Sequence, residues 1–387
     1  MADTKLFLYT VALITIGTVM SYSLSTYPTI YHGYGEFRFL GIETIVAIIG
    51  IFLMYGLSYL NMDKAFERVG FSIFFFFSML SILLLLLPDS IAPAIGGAKR
   101  WIKLPILPIS IAPVEFFKIG FIFFLSWSFS RKINKQDSII EQLKKLIPYI
   151  FIFGAVVFIF AFRQNDFGQT VVLGLILVVL FAMSGGRLRL IFGFLGIGLI
   201  GISLLIASYP HRLGRILLWW GSFQDTILAY LPNILANLIR IENVPEPYQI
   251  HNAGYAIYNG GFFGQGVGEG ILKLGFLSDV HTDMVLAGLS EELGFLGFLI
   301  CLILFILILL HILRIANRME EKRHFLFCIG ICLLLGIAFF TNALGVTGAI
   351  PLKGIAVPFL TYGGSSMLAN CVAIGLVLAL SKKAKNF

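Results

Sequence analysis

Apolar residues in this chain come in long unbroken runs, each closed by a short polar or charged cluster. A helix that crosses a bilayer needs about 20 such residues. Runs of that kind lie at about 6–26, 38–60, 70–92, 109–129, 147–163, 169–184, 188–208, 283–313, 325–345 and 361–381. The pattern predicts ten spanning helices in a single membrane domain over residues 1–387. The eighth run is long enough to tilt or to extend past the bilayer. Residues 209–282 lack a comparable run and read as one long extracytoplasmic loop. Its glycines permit several backbone states, so it is expected to be mobile.

Composition agrees with this reading. Of 387 residues, 58% are hydrophobic and only 12% charged, and the mean hydropathy is +0.94. Soluble chains are about half apolar and a quarter charged, so the class is an all-α polytopic membrane bundle. The net charge of +8 does not point to nucleic acid, because no stretch combines basic residues with an exposed aromatic platform. Basic residues instead collect on one side of the predicted spans. Arg131, Lys132, Lys135, Lys144 and Lys145 lie between the fourth and fifth, Arg314, Arg318, Lys322 and Arg323 after the eighth, and Lys382, Lys383 and Lys385 at the end. Ten spans put both termini on that side, and the basic excess makes it cytoplasmic. The first run lacks a small-residue cleavage site and reads as a retained helix. Cys301, Cys328, Cys332 and Cys371 all fall in apolar runs, as structural thiols do.

The outer boundary carries the unusual chemistry. Glu115 and Lys118 stand three residues apart on one face of the fourth span. Such a pair faces a bundle interior or a wet cavity, either fixing helix packing or meeting substrate. Asp166, in the turn "RQNDFGQT", suits a cap for the sixth span. Asp283 opens the eighth span, where it or Thr282 would cap the helix and meet the favourable end of its dipole. Glu291 and Glu292 lie about 12–13 Å deeper on that helix and roughly 80° and 180° around it from Asp283. They are expected to make structural hydrogen bonds and no chemistry. The run "NGGFFGQGVGEG" at 259–270 has no Lys-Ser/Thr at phosphate-loop spacing and reads as a turned outer loop.

Taken together, these segments resemble the SEDS family (shape, elongation, division and sporulation), typified by FtsW and RodA. The blocks that carry the likeness are "GGAKRWIKL" at 96–104, "APVEFFK" at 112–118, "QNDFGQT" at 164–170, "NGGFFGQGVGEG" with "HTDMVLAGLSEELG", and "PFLTYGGSSML" at 358–368. They run nearly the length of the chain in family order. Ala112, Val114 and Asn165 depart from the family pattern and weaken any role for the side chains they replace. Lys273 and Leu274 look closer to the FtsW branch than to RodA, where a Gln commonly stands near that position.

The resemblance implies a peptidoglycan glycosyltransferase. It would polymerise lipid II into a lipid-linked glycan chain at the outer face of the cytoplasmic membrane during division. An elongation role is the alternative within the family. A lipid II flippase, or a non-enzymatic scaffold for a penicillin-binding protein, is the alternative outside that chemistry. The resemblance maps the catalytic carboxylate onto Asp283. Candidate substrate contacts are Glu115 and Lys118, with Arg100, Lys103, Arg212, Arg215, Lys273 and Lys353 as cations for the diphosphate. Spans four and eight are expected to meet at their outer ends, the Glu115–Lys118 face turned to Asp283. A divalent cation is left open and no other cofactor is implied. The chain holds no transpeptidase domain, so a class B penicillin-binding protein is implied as a partner, alongside other divisome membrane proteins.

Overall fold

The computed structural model describes residues 3–31, 33–95, 97–103, 110–241, 248–351 and 354–384. Its helices are α1 (Thr4–Leu24), α2 (Thr26–Tyr31), α3 (Arg38–Ser58), α4 (Met62–Leu83), α5 (Pro113–Lys132), α6 (Ile139–Val156) and α7 (Phe167–Met183). There follow α8 (Leu188–Ala207), α9 (Pro210–Gly221), α10 (Gln224–Leu228), α11 (Asn233–Ile239), α12 (Tyr248–Gly260), α13 (Val285–Asn317), α14 (Lys322–Val346) and α15 (Gly364–Ser381). Among the described residues of the 94–111 segment, four two-residue strands form two antiparallel pairs: β1 (Ala94–Ile95) with β2 (Ala98–Lys99), and β3 (Ile102–Lys103) with β4 (Ser110–Ile111). Among the described residues eight helices are long and apolar enough to cross a membrane, and α7 is a shorter apolar helix. The fold is an all-α polytopic bundle.

Local sequence explains several helix starts. Asp3 caps α1 by accepting from the Leu6 amide at 3.0 Å. Ser138 and Glu141 form a reciprocal capping box at the start of α6. Pro113 and Pro210 occupy the first helical positions of α5 and α9, where a missing N–H costs nothing. Beyond its α-helical part, α6 widens into a π-helix over Val157–Arg163.

Burial sorts the helices into a centre and a rim. α5, α14 and α15 are buried on most sides: α5 packs on α4, α14, α7 and α15, and α15 packs along α3. α1 and α12 both pack on α13. α8 lies at the rim and buries only Ile191 of its twenty residues. All four cysteines are buried and free.

The segment 209–282 corrects the sequence reading. Apart from 242–247, which lie outside the described residues, it holds four helices, and α12 descends beside the first half of α13. The cause lies at Gly294, which breaks α13 with φ 68° and ψ −171°. Such a break frees backbone groups that a bilayer cannot satisfy. The glycine-rich run after α12 supplies their partners. Gln265 and Gly266 donate to the Glu291 and Glu292 carbonyls at 3.0 and 2.9 Å, while Phe295 and Leu296 donate to Gly261 and Phe262 at 2.9 and 3.1 Å. Glycine is required for so close an approach: a Cβ on Gly264 would stand 2.2 Å from the Glu292 carbonyl oxygen.

That contact also accounts for the two deep carboxylates. Glu291 accepts from the Ile271 and Leu272 amides at 2.9 and 3.2 Å. Glu292 accepts from Ser23 Oγ and from Lys273 Nζ, each at 2.6 Å. Lys273 also donates to Gly268 O at 2.7 Å and Ser23 Oγ at 2.9 Å. The break and the loop that mends it thus share one buried polar network.

Candidate functional site

The chain leaves the glycine-rich run through a tight turn that ends at Asp283. Asp279 sits in the left-handed region at φ 54°, a conformation short polar residues tolerate. Its carbonyl accepts from the Thr282 and Met284 amides at 3.0 and 3.1 Å. α13 starts only afterwards, with Met284 at its cap position and no side-chain cap bond. The expected capping role of Asp283 or Thr282 is therefore not realised, because the turn closes on Asp279 instead.

Three separate donors hold the backbone around Asp283. Tyr362 N–H bonds the His281 carbonyl at 3.0 Å, Thr361 Oγ1 bonds that of Thr282 at 3.3 Å, and Asn342 Nδ2 bonds that of Asp283 at 2.8 Å. These three carbonyls are bonded, yet among the described residues no donor bonds the carboxylate. It faces a cavity of about 330 Å³, lined also by Arg215, Tyr248, Gln249, Ser278, Asp279 and Gly354. Burial, with the Asp279 charge beside it, pushes the Asp283 carboxyl up to about 6; the Arg215 and Arg100 charges oppose the rise. Burial pulls His281 down, so that imidazole is neutral at pH 7.

The sequence candidates divide sharply. Arg215 is exposed on α9 and lines the cavity. Arg212, one turn earlier, is buried: it donates to Ala161 O at 3.0 Å and Asn165 Oδ1 at 2.8 Å and stacks on Tyr209. Arg100 donates to the Gln164 and Asn165 carbonyls at 2.9 and 2.6 Å, and its charge acts on both Asp283 and Asp166. Lys103 is exposed on β3, pairing in register with Ser110. Lys273 is 2% exposed and turned to Glu292, so it does not open onto the cavity. Lys353 lies outside the described residues.

Glu115 and Lys118 are also turned elsewhere. They pair at 2.8 Å, and Gln169 on α7 closes the triad, accepting from Lys118 at 3.0 Å and donating to Glu115 at 3.4 Å. The triad faces α7 and is absent from the cavity wall. The main neighbours of α5 are α4, α14, α7 and α15, so the expected packing of span four on span eight is not a principal contact of the bundle. Asp166 caps α7, accepting from the Gln169 amide at 3.4 Å, and burial raises its carboxyl.

Sequence reasoning missed Asp279, Asn342 and Gly354. Asn342 had a signal: an amide inside an apolar run is costly in a bilayer unless it has partners. Asp279 and Gly354 carried none, since both sit in irregular backbone. As for metals, no group of three or more His, Cys, Asp or Glu side chains gathers among the described residues. A cation held through one or two carboxylates and substrate oxygens would have Asp279 and Asp283 as its protein ligands.

Residues 4–386 match the cell cycle protein family of FtsW, RodA and SpoVE. The chain is 50% identical over 388 residues to a Helicobacter pylori strain J99 protein named "Probable peptidoglycan glycosyltransferase FtsW", covering 99% of both chains. Its fold is similar to a solved structure described as the structural coordination of polymerization and crosslinking by a peptidoglycan synthase complex. The TM-score is 0.72 at 20% identity, with 99% of this chain and 98% of that one covered. It is also similar to the rod shape determining protein RodA of Thermus thermophilus, with a TM-score of 0.67 at 20% identity, covering 100% of this chain and 98% of that one.

Proposed function

The chain belongs to the cell cycle protein family of FtsW, RodA and SpoVE, and on that premise we propose that Asp283 is the general base of its glycosyl transfer. The protein is a peptidoglycan glycosyltransferase of the FtsW type, acting in division. The substrate is lipid II, taken from the outer leaflet and added to a lipid-linked glycan chain. Both termini lie in the cytoplasm, as the basic bias requires. A class B penicillin-binding protein is the crosslinking partner, within a larger set of division membrane proteins.

One observation carries the assignment of the base: among the described residues no donor bonds the Asp283 carboxylate, which opens onto a cavity that also presents Arg215. In the reaction a sugar hydroxyl attacks the anomeric carbon of a diphosphate-linked sugar. Asp283 takes the hydroxyl proton, the anomeric carbon–oxygen bond to phosphate breaks, and the lipid diphosphate departs. A carboxyl near 6 is ionised at neutral pH and still basic enough to work, and a placed base gives about 10²–10⁴-fold in rate. Arg215 offsets the charge that grows on the departing diphosphate.

The test is glycan product from labelled lipid II, using purified protein with and without its penicillin-binding partner. Wild type is expected to polymerise. Asp283→Asn, at matched stability and partner binding, is expected to lose most product. Polymerisation by Asp283→Asn at near the wild-type rate would overturn the base assignment. No polymer from wild type under any condition, with the substrate nevertheless moved across vesicles, would favour the flippase reading.

A further inference from the structure

We propose that Asn342 of α14 is the positioning residue that sets the Asp283 carboxylate in the cavity; this rests on Asp283 being the base. Asn342 is wholly buried. Its Nδ2 donates twice, to the Asp283 carbonyl at 2.8 Å and to the Ile355 carbonyl at 3.0 Å. Two carbonyls around one nitrogen settle which way the amide points, since only NH₂ can serve both. Its Oδ1 accepts no bond among the described residues. The side chain therefore spends its donors on two backbone points and leaves an acceptor unused.

Those two points are the walls of the site. One is the residue that bears the carboxylate. The other is one residue past Gly354, whose backbone lies against that carboxylate. Asn342 thus sets the distance between the base and the loop facing it, without touching either group in the reaction. The turn that follows α14 holds a second wall: Gly348 O accepts from Trp219 Nε1 on α9 at 2.8 Å, and α9 carries Arg215. Removing the Asn342 amide frees two carbonyls in a buried place and lets the turn and the loop drift independently. A misplacement of about 1 Å at a reacting group costs about 10²-fold.

The experiment compares Asn342→Ala and Asn342→Ser with wild type, and each in the Asp283→Asn background, by lipid II polymerisation kinetics on monodisperse protein. A hydroxyl can donate to one of the two carbonyls, so Ser is a partial replacement. The expected result is a fall in kcat of about 10–100-fold for Ala and a smaller fall for Ser. KM is expected to stay within about twofold, because substrate-binding groups are untouched. In the Asp283→Asn background the Ala change is expected to add little, since both act through one carboxylate. Wild-type kcat in Asn342→Ala, a loss carried wholly by KM, or full additivity with Asp283→Asn would each overturn the proposal. Failure of both variants to yield monodisperse protein would overturn it too, by making Asn342 a folding residue. Retained activity in Asp283→Asn alone refutes the base and is read separately from these outcomes.

Discussion

Gly354 lies flush against the Asp283 carboxylate: a Cβ built on it would stand 2.6 Å from Asp283 Oδ2. Real Cβ atoms do not come so close, so a side chain there must displace the carboxylate or the loop. No left-handed backbone is involved at Gly354, which leaves this contact as the main cost of an alanine. Gly354→Ala is accordingly expected to lower turnover by about 10–100-fold with little change in thermal midpoint. Turnover at the wild-type rate would show that the Asp283 position is not critical.

The raised Asp283 carboxyl ties activity and stability to pH in opposite ways. A base must be ionised, so turnover is expected to fall on the acid side with a midpoint near 6. For stability, the ordinary value of 3.8 is the reference. Below it the group is protonated in both folded and unfolded chains and contributes nothing. Between 3.8 and about 6 the unfolded chain ionises first, and above 6 the fold bears the whole penalty. Two pH units correspond to about 3 kcal/mol, an upper bound because the side chain is open to the cavity and partly screened. Asp283→Asn removes the penalty, so its thermal midpoint should exceed wild type at pH 7.5 and converge with it near pH 4. An Asn variant less stable than wild type at pH 7.5 would favour a structural carboxylate.

Lys273 and Glu292 form an ion pair sealed from solvent, with side chains 2% and 0% exposed. Breaking such a pair from one side strands a buried charge and costs about 3–5 kcal/mol. Lys273→Met and Glu292→Gln are therefore expected to lower the thermal midpoint in detergent sharply. Replacing both together with apolar residues should recover part of the loss. A normal midpoint for Lys273→Met with a raised KM would return Lys273 to the substrate site.

How much of this was legible in the sequence depends on the scale of the signal. Apolar runs of spanning length fix the all-α membrane class, because the bilayer leaves few alternatives. Asp283 stood out through its motif, and the structure sets it on a cavity. Glu291 and Glu292 were expected to be structural and do hold backbone and an ion pair. Other features depend on contacts between distant residues. α12 was hidden because its polar and glycine-rich sequence lacks a spanning run; its place beside α13 follows from the backbone groups freed at Gly294. Lys273 looked like a diphosphate contact because sequence cannot show that Glu292 and Ser23 enclose it. Glu115 and Lys118 were turned towards Asp283 because all three lie near one depth and each needs a polar neighbour, and neither reason says which neighbour a helix face meets.

Arg212 and Arg215 are three residues apart on α9, yet the fold gives them different tasks. Arg212 is buried, bonded to Ala161 O and Asn165 Oδ1, with its guanidinium 4.2 Å from the Tyr209 ring centroid. It ties α9 to the end of the π-helix. Arg215 lines the cavity and makes no hydrogen bond or ion pair among the described residues. Its charge is free for an incoming diphosphate, and a charge-assisted contact of that kind is worth about 1.5–3 kcal/mol. Arg215→Ala is thus expected to lower kcat/KM by about tenfold or more while leaving the thermal midpoint unchanged. Arg215→Lys should recover part of the loss, since it keeps the charge without the forked geometry. Arg212→Ala should do the reverse, costing about 2–4 kcal/mol of stability through lost charged hydrogen bonds and ring stacking. Paired thermal melts and lipid II kinetics on the two alanine variants decide it. Equal effects of both substitutions on stability, or none of Arg215→Ala on kcat/KM, would remove Arg215 from the diphosphate site.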